Sequence, residues 1–216
     1  NRTIGPDGGV DASGSLDASL PDAAASDGGA DVSPDASIAR AGCNPIAADW
    51  DCALPFPSDW FLVEDPSLPG GRRVAVPPVA LLHDQDGRPV DPFALHVADG
   101  WSIGTQILAL FPFAVDGSEL VSVNGDLGRT LAADGPTVLL DTATGKPVLH
   151  MAELDPRPQD VSRRALIIRP LVRLENLRRY VVGIRGLRDT AGAPLAPPAG
   201  FAAIRDGAAD GDPVLA

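Results

Sequence analysis

Leu174-Glu175-Asn176-Leu177-Arg178-Arg179-Tyr180-Val181-Val182-Gly183-Ile184 opens on a charged turn and closes on a strand. Successive side chains of a strand point to opposite faces, so the alternating Tyr180, Val182 and Ile184 share one face. The same texture extends to both sides of this stretch. Short bursts rich in Val, Ile and Leu, bounded by Gly, Pro or Asp, predict strands over 72–76, 106–111, 119–123, 137–141, 147–153, 165–169, 180–185 and 201–205. None carries a helical period of useful length. Gly145, which reaches positive φ without strain, marks a hairpin over 141–147, and Asp189 with Gly192 marks a second turn over 187–195. Gly (23 residues) and Pro (22 residues) are frequent enough in 216 residues to interrupt long helices repeatedly, which excludes an all-helical fold.

The predicted fold class is therefore mainly β, in the form of an immunoglobulin-like β-sandwich. Tyr180, the single tyrosine of the chain, stands where sandwiches of this type place a corner tyrosine whose hydroxyl bonds back to upstream backbone; an ordinary amphipathic strand start remains the alternative. Trp60 and Trp101 are read as structural aromatic residues, with Trp101 anchoring its loop by burying its ring. The chain divides into an acidic linker at 1–41, a β-rich or irregular segment at 42–125 and a sandwich segment at 126–216, with 42–216 as one domain the other reading.

The first 41 residues are almost entirely Asp, Ala, Ser, Gly and Pro, with seven Asp, two Arg and no aromatic residue. Such a segment buries too little apolar surface to offset chain entropy and is expected to be disordered. Composition changes at Gly42, where Cys43, Trp50, Cys52, Phe56, Trp60 and Phe61 follow closely. Cys43 and Cys52 sit at the boundary, where packing alone is weak, so a disulfide is favoured over two buried thiols. Zinc would need about four ligands, and the nearest histidine, His83, is far along the chain. An oxidised pair implies export. The net charge of -12 argues against a nucleic-acid partner. No apolar run reaches the roughly 18 to 20 residues of a transmembrane segment.

Two groups of motifs carry a family resemblance. Leu54-Pro55-Phe56-Pro57-Ser58-Asp59-Trp60-Phe61, Gly71-Arg72-Arg73-Val74 and Asp99-Gly100-Trp101-Ser102 resemble the start of the non-catalytic N-terminal region of exported bacterial lipases and esterases. Leu166-Ile167-Ile168-Arg169-Pro170, Tyr180-Val181-Val182 and Gly186-Leu187-Arg188-Asp189 resemble the immunoglobulin-like modules of the same large lipoproteins. The resemblance implies a β-rich accessory region that positions an α/β-hydrolase domain absent from this chain. It also implies an extracellular, periplasmic or outer-membrane location, with a hydrolase or immunoglobulin-like domain of the same polypeptide as partner.

Candidate chemistry is sparse. Gly100-Trp101-Ser102-Ile103-Gly104 satisfies the G-x-S-x-G pattern of a nucleophile elbow, but that elbow needs a strand before it and a helix after it. Ser102 and His150, the one histidine after it, are the catalytic candidates of a competing small-esterase reading; an adhesion-type module is a third. His83, His96 and His150 have no metal-ligand spacing, so no metal and no cofactor is expected. The Asp-rich loops at 83–88 and 206–212 lack the distal Glu of a calcium loop and read as turns. The arginines from Arg163 to Arg188 read as a solvated, ion-paired surface.

Overall fold

The computed structural model describes residues 39–48, 50–93, 97–212 and 214–215. The linker expected at 1–41 lies outside the described residues except for 39–41, as does His96. The described chain is mainly β. Two short antiparallel hairpins come first, β1 (Leu62–Glu64) with β2 (Arg72–Val74) and β3 (Leu82–His83) with β4 (Pro89–Val90). The longer elements follow: β5 (Ile107–Ala109), β6 (Thr137–Asp141), β7 (Lys146–Pro147), β8 (His150–Leu154), β9 (Leu166–Pro170) and β10 (Tyr180–Ile184). They form two three-stranded antiparallel sheets, ordered β10-β6-β7 and β5-β9-β8. Phe56 and Leu108 exchange backbone hydrogen bonds of 2.9 and 2.7 Å, which adds one bridge along β5.

One length of chain belongs to both sheets. Lys146 and Pro147 pair with β6, the Val148 N–H donates to the Leu139 carbonyl at 2.7 Å, and from His150 onward the chain pairs with β9. At this crossing His150 is wholly buried. Its Nε2 lies 2.9 Å from the Thr137 hydroxyl, and its Nδ1 lies 2.8 Å from the Val148 carbonyl oxygen. A carbonyl only accepts, so Nδ1 carries the proton there.

The core follows from register. Ile107 and Ala109 stand opposite Ile168 and Leu166, which in turn face Ala152 and Leu154, so all six project from one face of β5-β9-β8. Val115 and Leu187 cover that face, and Ile184 of β10 packs against it. Each Val, Leu or Ile of this set contributes about 1.5 to 3 kcal/mol on full burial.

Two predicted strands are corrected. Residues 119–123 form no strand: the Leu120 N–H closes a turn on Gly117, and the Val121 carbonyl takes a single bond from Ala152. Residues 201–205 belong to α1 (Ala199–Arg205), the one α-helix among the described residues. Pro198 stands at its N-cap in a non-helical conformation, and the buried Gly200 and Ala203 present a small face. Gly200 lies so close to the Cys43–Cys52 loop that a Cβ would overlap the Pro45 carbonyl oxygen. Helix and loop together border a small open pocket of about 270 Å³, lined by Ala39, Arg40, Ala199 and Gly200.

The acidic composition has a structural use. Asp65, Asp84, Asp91, Asp116, Asp126, Asp141, Asp155, Asp160 and Asp189 each accept the backbone N–H two residues on, closing a local turn. The loop at 83–88 is one of these turns, with the Asp84 carboxylate also accepting from Arg88 between β3 and β4.

Candidate functional site

An open cleft of about 1030 Å³ is lined by residues of both three-stranded sheets. The register of β6 and β10 sets Leu139 opposite Val182 and Asp141 opposite Tyr180, so these four share a face. Leu139, Val182 and Tyr180 line the cleft together with Ile107 of β5, making its floor continuous with the core. Its walls are loops from distant parts of the sequence: 69–72, 99–105 and 174–179. The volume is at the upper end of small-ligand sites, though this one is open to solvent.

Trp101 stands in the wall. Phe56 and Phe93 meet its ring edge-on, at centroid distances of 4.8 and 5.9 Å. Its indole N–H is buried with no partner among the described residues, an arrangement that costs about 1 to 3 kcal/mol. Across the cleft, the Tyr180 hydroxyl accepts the N–H of Glu175 at 2.9 Å, tying the 174–179 loop to its own strand. Within that loop Leu177 holds φ at 53° and is 77% exposed. A left-handed Leu costs about 1 to 2 kcal/mol relative to a right-handed one, so the loop carries strain at the cleft mouth.

The charges of the cleft are largely compensated. Arg179 pairs with Asp59 at 2.9 Å and Arg178 with Asp141 at 2.9 Å, while Arg72 has no ion pair among the described residues. Burial pushes the Asp141 carboxyl up, but the Ala143 N–H and the Arg178 guanidinium outweigh it and hold the group below the ordinary aspartate value.

Ser102 and His150 have separate surroundings. The exposed Ser102 hydroxyl accepts the Gly104 N–H at 3.2 Å within a turn, and β5 rather than a helix follows. His150 spends both ring nitrogens on Thr137 and Val148 at the crossing between sheets, and no hydrogen bond joins it to Ser102. His83 is exposed in β3. Among the described residues no group of three or more His, Cys, Asp or Glu side chains is arranged to hold a metal ion, and no helix is long and apolar enough to cross a membrane. Cys43 and Cys52 are joined in a disulfide, with Cα atoms 4.5 Å apart. Trp60 is 42% exposed in the 3₁₀ turn Asp59–Phe61, whose buried residue is Phe61. The arginines are spread over several partners: Arg163 stacks on Trp50 at 4.8 Å, Arg169 pairs with Glu153, and Arg185 and Arg188 donate to backbone carbonyls.

Sequence reasoning missed Leu177 and Arg72 as features of a site. The crowded charges of Glu175, Arg178 and Arg179 before a strand were the available signal. Comparison of the chain with protein-family models, with curated proteins and with solved structures found no match.

Proposed function

We propose that the chain is a non-catalytic, immunoglobulin-like accessory module of an exported bacterial α/β-hydrolase lipoprotein, positioning a catalytic domain of the same polypeptide. The observation that carries the reading is the engagement of the two catalytic candidates elsewhere. A serine nucleophile needs an oriented base on its hydroxyl, whereas Ser102 accepts from Gly104 and His150 is committed to Thr137 and Val148. The Cys43–Cys52 disulfide supports an oxidising extracellular, periplasmic or outer-membrane setting. The immunoglobulin-like assignment is supported by two antiparallel sheets sharing a crossing strand and by the Tyr180 hydroxyl bonded to backbone upstream.

The test is labelling of the isolated chain with a fluorophosphonate probe alongside turnover of short-chain aryl esters. Neither labelling nor turnover is expected. Stoichiometric labelling lost in Ser102→Ala, with turnover lost in His150→Ala, overturns the reading in favour of an esterase. The hydrolase association has its own check: the reading frame encoding the chain is expected to contain a strand–elbow–helix nucleophile followed by an acid and a histidine, and a frame without them removes that association.

A further inference from the structure

We propose that the outer edge of β10 is a docking site for an extended peptide that joins the sheet as an added strand, with apolar side chains at alternate positions between flanking carboxylates. The inference goes beyond the accessory-module reading and stands without it.

The order β10-β6-β7 leaves β10 at the margin of its sheet. At its two ends the Thr142 N–H donates to the Arg179 carbonyl and the Arg185 N–H donates to the Pro136 carbonyl. In an antiparallel ladder the bonded positions alternate, so residues 179, 181, 183 and 185 turn their peptide groups toward β6. The N–H and C=O groups of Tyr180, Val182 and Ile184 therefore face outward, and no described residue bonds to them. Exposed edges are usually blunted by lysine, proline or a bulge. Tyr180–Ile184 has none of these, and Val181 and Val182 are 46% and 36% exposed. A strand added here would set every second side chain on the face shared by Tyr180, Val182 and Leu139, the face that lines the cleft. Main-chain bonds would supply affinity and the cleft would supply selection.

Charge decides the occupant. Two copies of β10 pairing antiparallel about Val182 would match their outward backbone groups, but they would also set Arg179 opposite Arg185 of the second copy at both ends. Like charges directly opposite each other are destabilising. The same two arginines select a strand with carboxylates at its ends. Arg185 donates to the carbonyls of Gly135 and Ala133, so no carboxylate neutralises it, and the Arg179 side chain is 69% exposed despite its pair with Asp59.

The probe is a fluorescein-labelled peptide, Glu-Val-Thr-Val-Thr-Val-Glu, titrated with the full chain and followed by anisotropy. Saturable binding is expected. It should be lost when the three valines of the peptide are N-methylated, because their amides face the edge in this register. Replacing both glutamates with lysine should weaken it about fivefold to tenfold, the effect of one or two exposed ion pairs. On the protein side, Val182→Pro takes away an outward N–H and no ladder bond to β6, so it should abolish binding while leaving the circular dichroism spectrum unchanged. Arg185→Glu should invert the preference between the glutamate and lysine peptides. Equal binding of the parent and N-methylated peptides overturns the proposal, as does no binding at millimolar chain. So does a sedimentation measurement showing dimers that Val182→Pro dissociates, which would give the edge to a second copy.

Discussion

Residues 107–195 and residues 39–105 are held together by different means. In the first, strands of up to five residues pair in register, and Leu139, Ala152, Leu166 and Ile168 are 0–1% exposed. In the second, β1 to β4 have two or three residues each, Val79 and Val90 are at least half exposed, and Leu82 is 83% exposed. That region depends on a disulfide, on two-stranded hairpins and on isolated buried residues such as Phe61 and Val74. Long-range apolar burial carries one region and local cross-links carry the other. The cleft lies where the two meet, with Ile107, Leu139 and Val182 from the first and Trp101 and Arg72 from the second.

The contrast is broken most strongly in the core. Leu166→Ala should lower stability by about 3 kcal/mol in chemical denaturation, while Leu82→Ala should stay within about 0.5 kcal/mol; comparable losses at the two sites would erase the distinction. Next comes the cross-link. Replacing Cys43 and Cys52 together with serine should cost about 2 to 3 kcal/mol by loop entropy, with amide exchange accelerating at 40–60 before it does in β9. Uniform acceleration would mean that the two regions melt as one. Tyr180→Phe removes a partly exposed hydroxyl bond to Glu175 and should cost about 0.5 to 1 kcal/mol, with faster exchange of the Glu175 amide as its local signature.

Acid acts on a single turn. The Arg157 side chain and backbone N–H hold the Asp155 carboxyl down to about 2 from its ordinary 3.8. A carboxylate depressed in the folded state stabilises above its unfolded value and loses that contribution as pH falls through the folded one. Stability conferred by Asp155 should thus be intact above about pH 4 and fade toward about pH 2, a decline that Asp155→Asn should lack. A carbon-detected titration of Asp155 with a midpoint near 3.8 would remove this effect.

Much of the sheet region was legible because its signals are local. Thr137-Val138-Leu139-Leu140-Asp141 lies between Pro136 and a glycine turn, and β6 occupies those five residues. β9 and β10 fall within one residue of their apolar bursts. The failures share a cause. Val121 is buried as deeply as a strand residue, but tertiary contact gives its segment one bond to Ala152 and no ladder. The burst at 201–205 became helical in a setting where Gly200, with no Cβ, lets the helix seat closely on Pro45. The β3–β4 hairpin escaped notice because its strands have two residues each and the apolar run at 79–82 is split between a 3₁₀ turn and β3, although its Asp-Gly turn was recognised. The cleft was illegible for a deeper reason. Trp101, Leu139 and Tyr180 become neighbours only through strand register and the crossing at His150, and no window of sequence contains them together.

The close seat of Gly200 on Pro45 has a mechanical consequence. It brings α1, near one end of the described chain, against the loop near the other, so a pull applied at both ends reaches this contact before either three-stranded sheet. No backbone hydrogen bond joins the helix to the loop among the described residues, and the contact should peel open at low load. In an optical trap, a short first extension lost in Gly200→Ala should precede the main rupture. Under load the described chain would thereby behave as a weak latch in series with a stiff body, the latch opening while the two sheets hold their register.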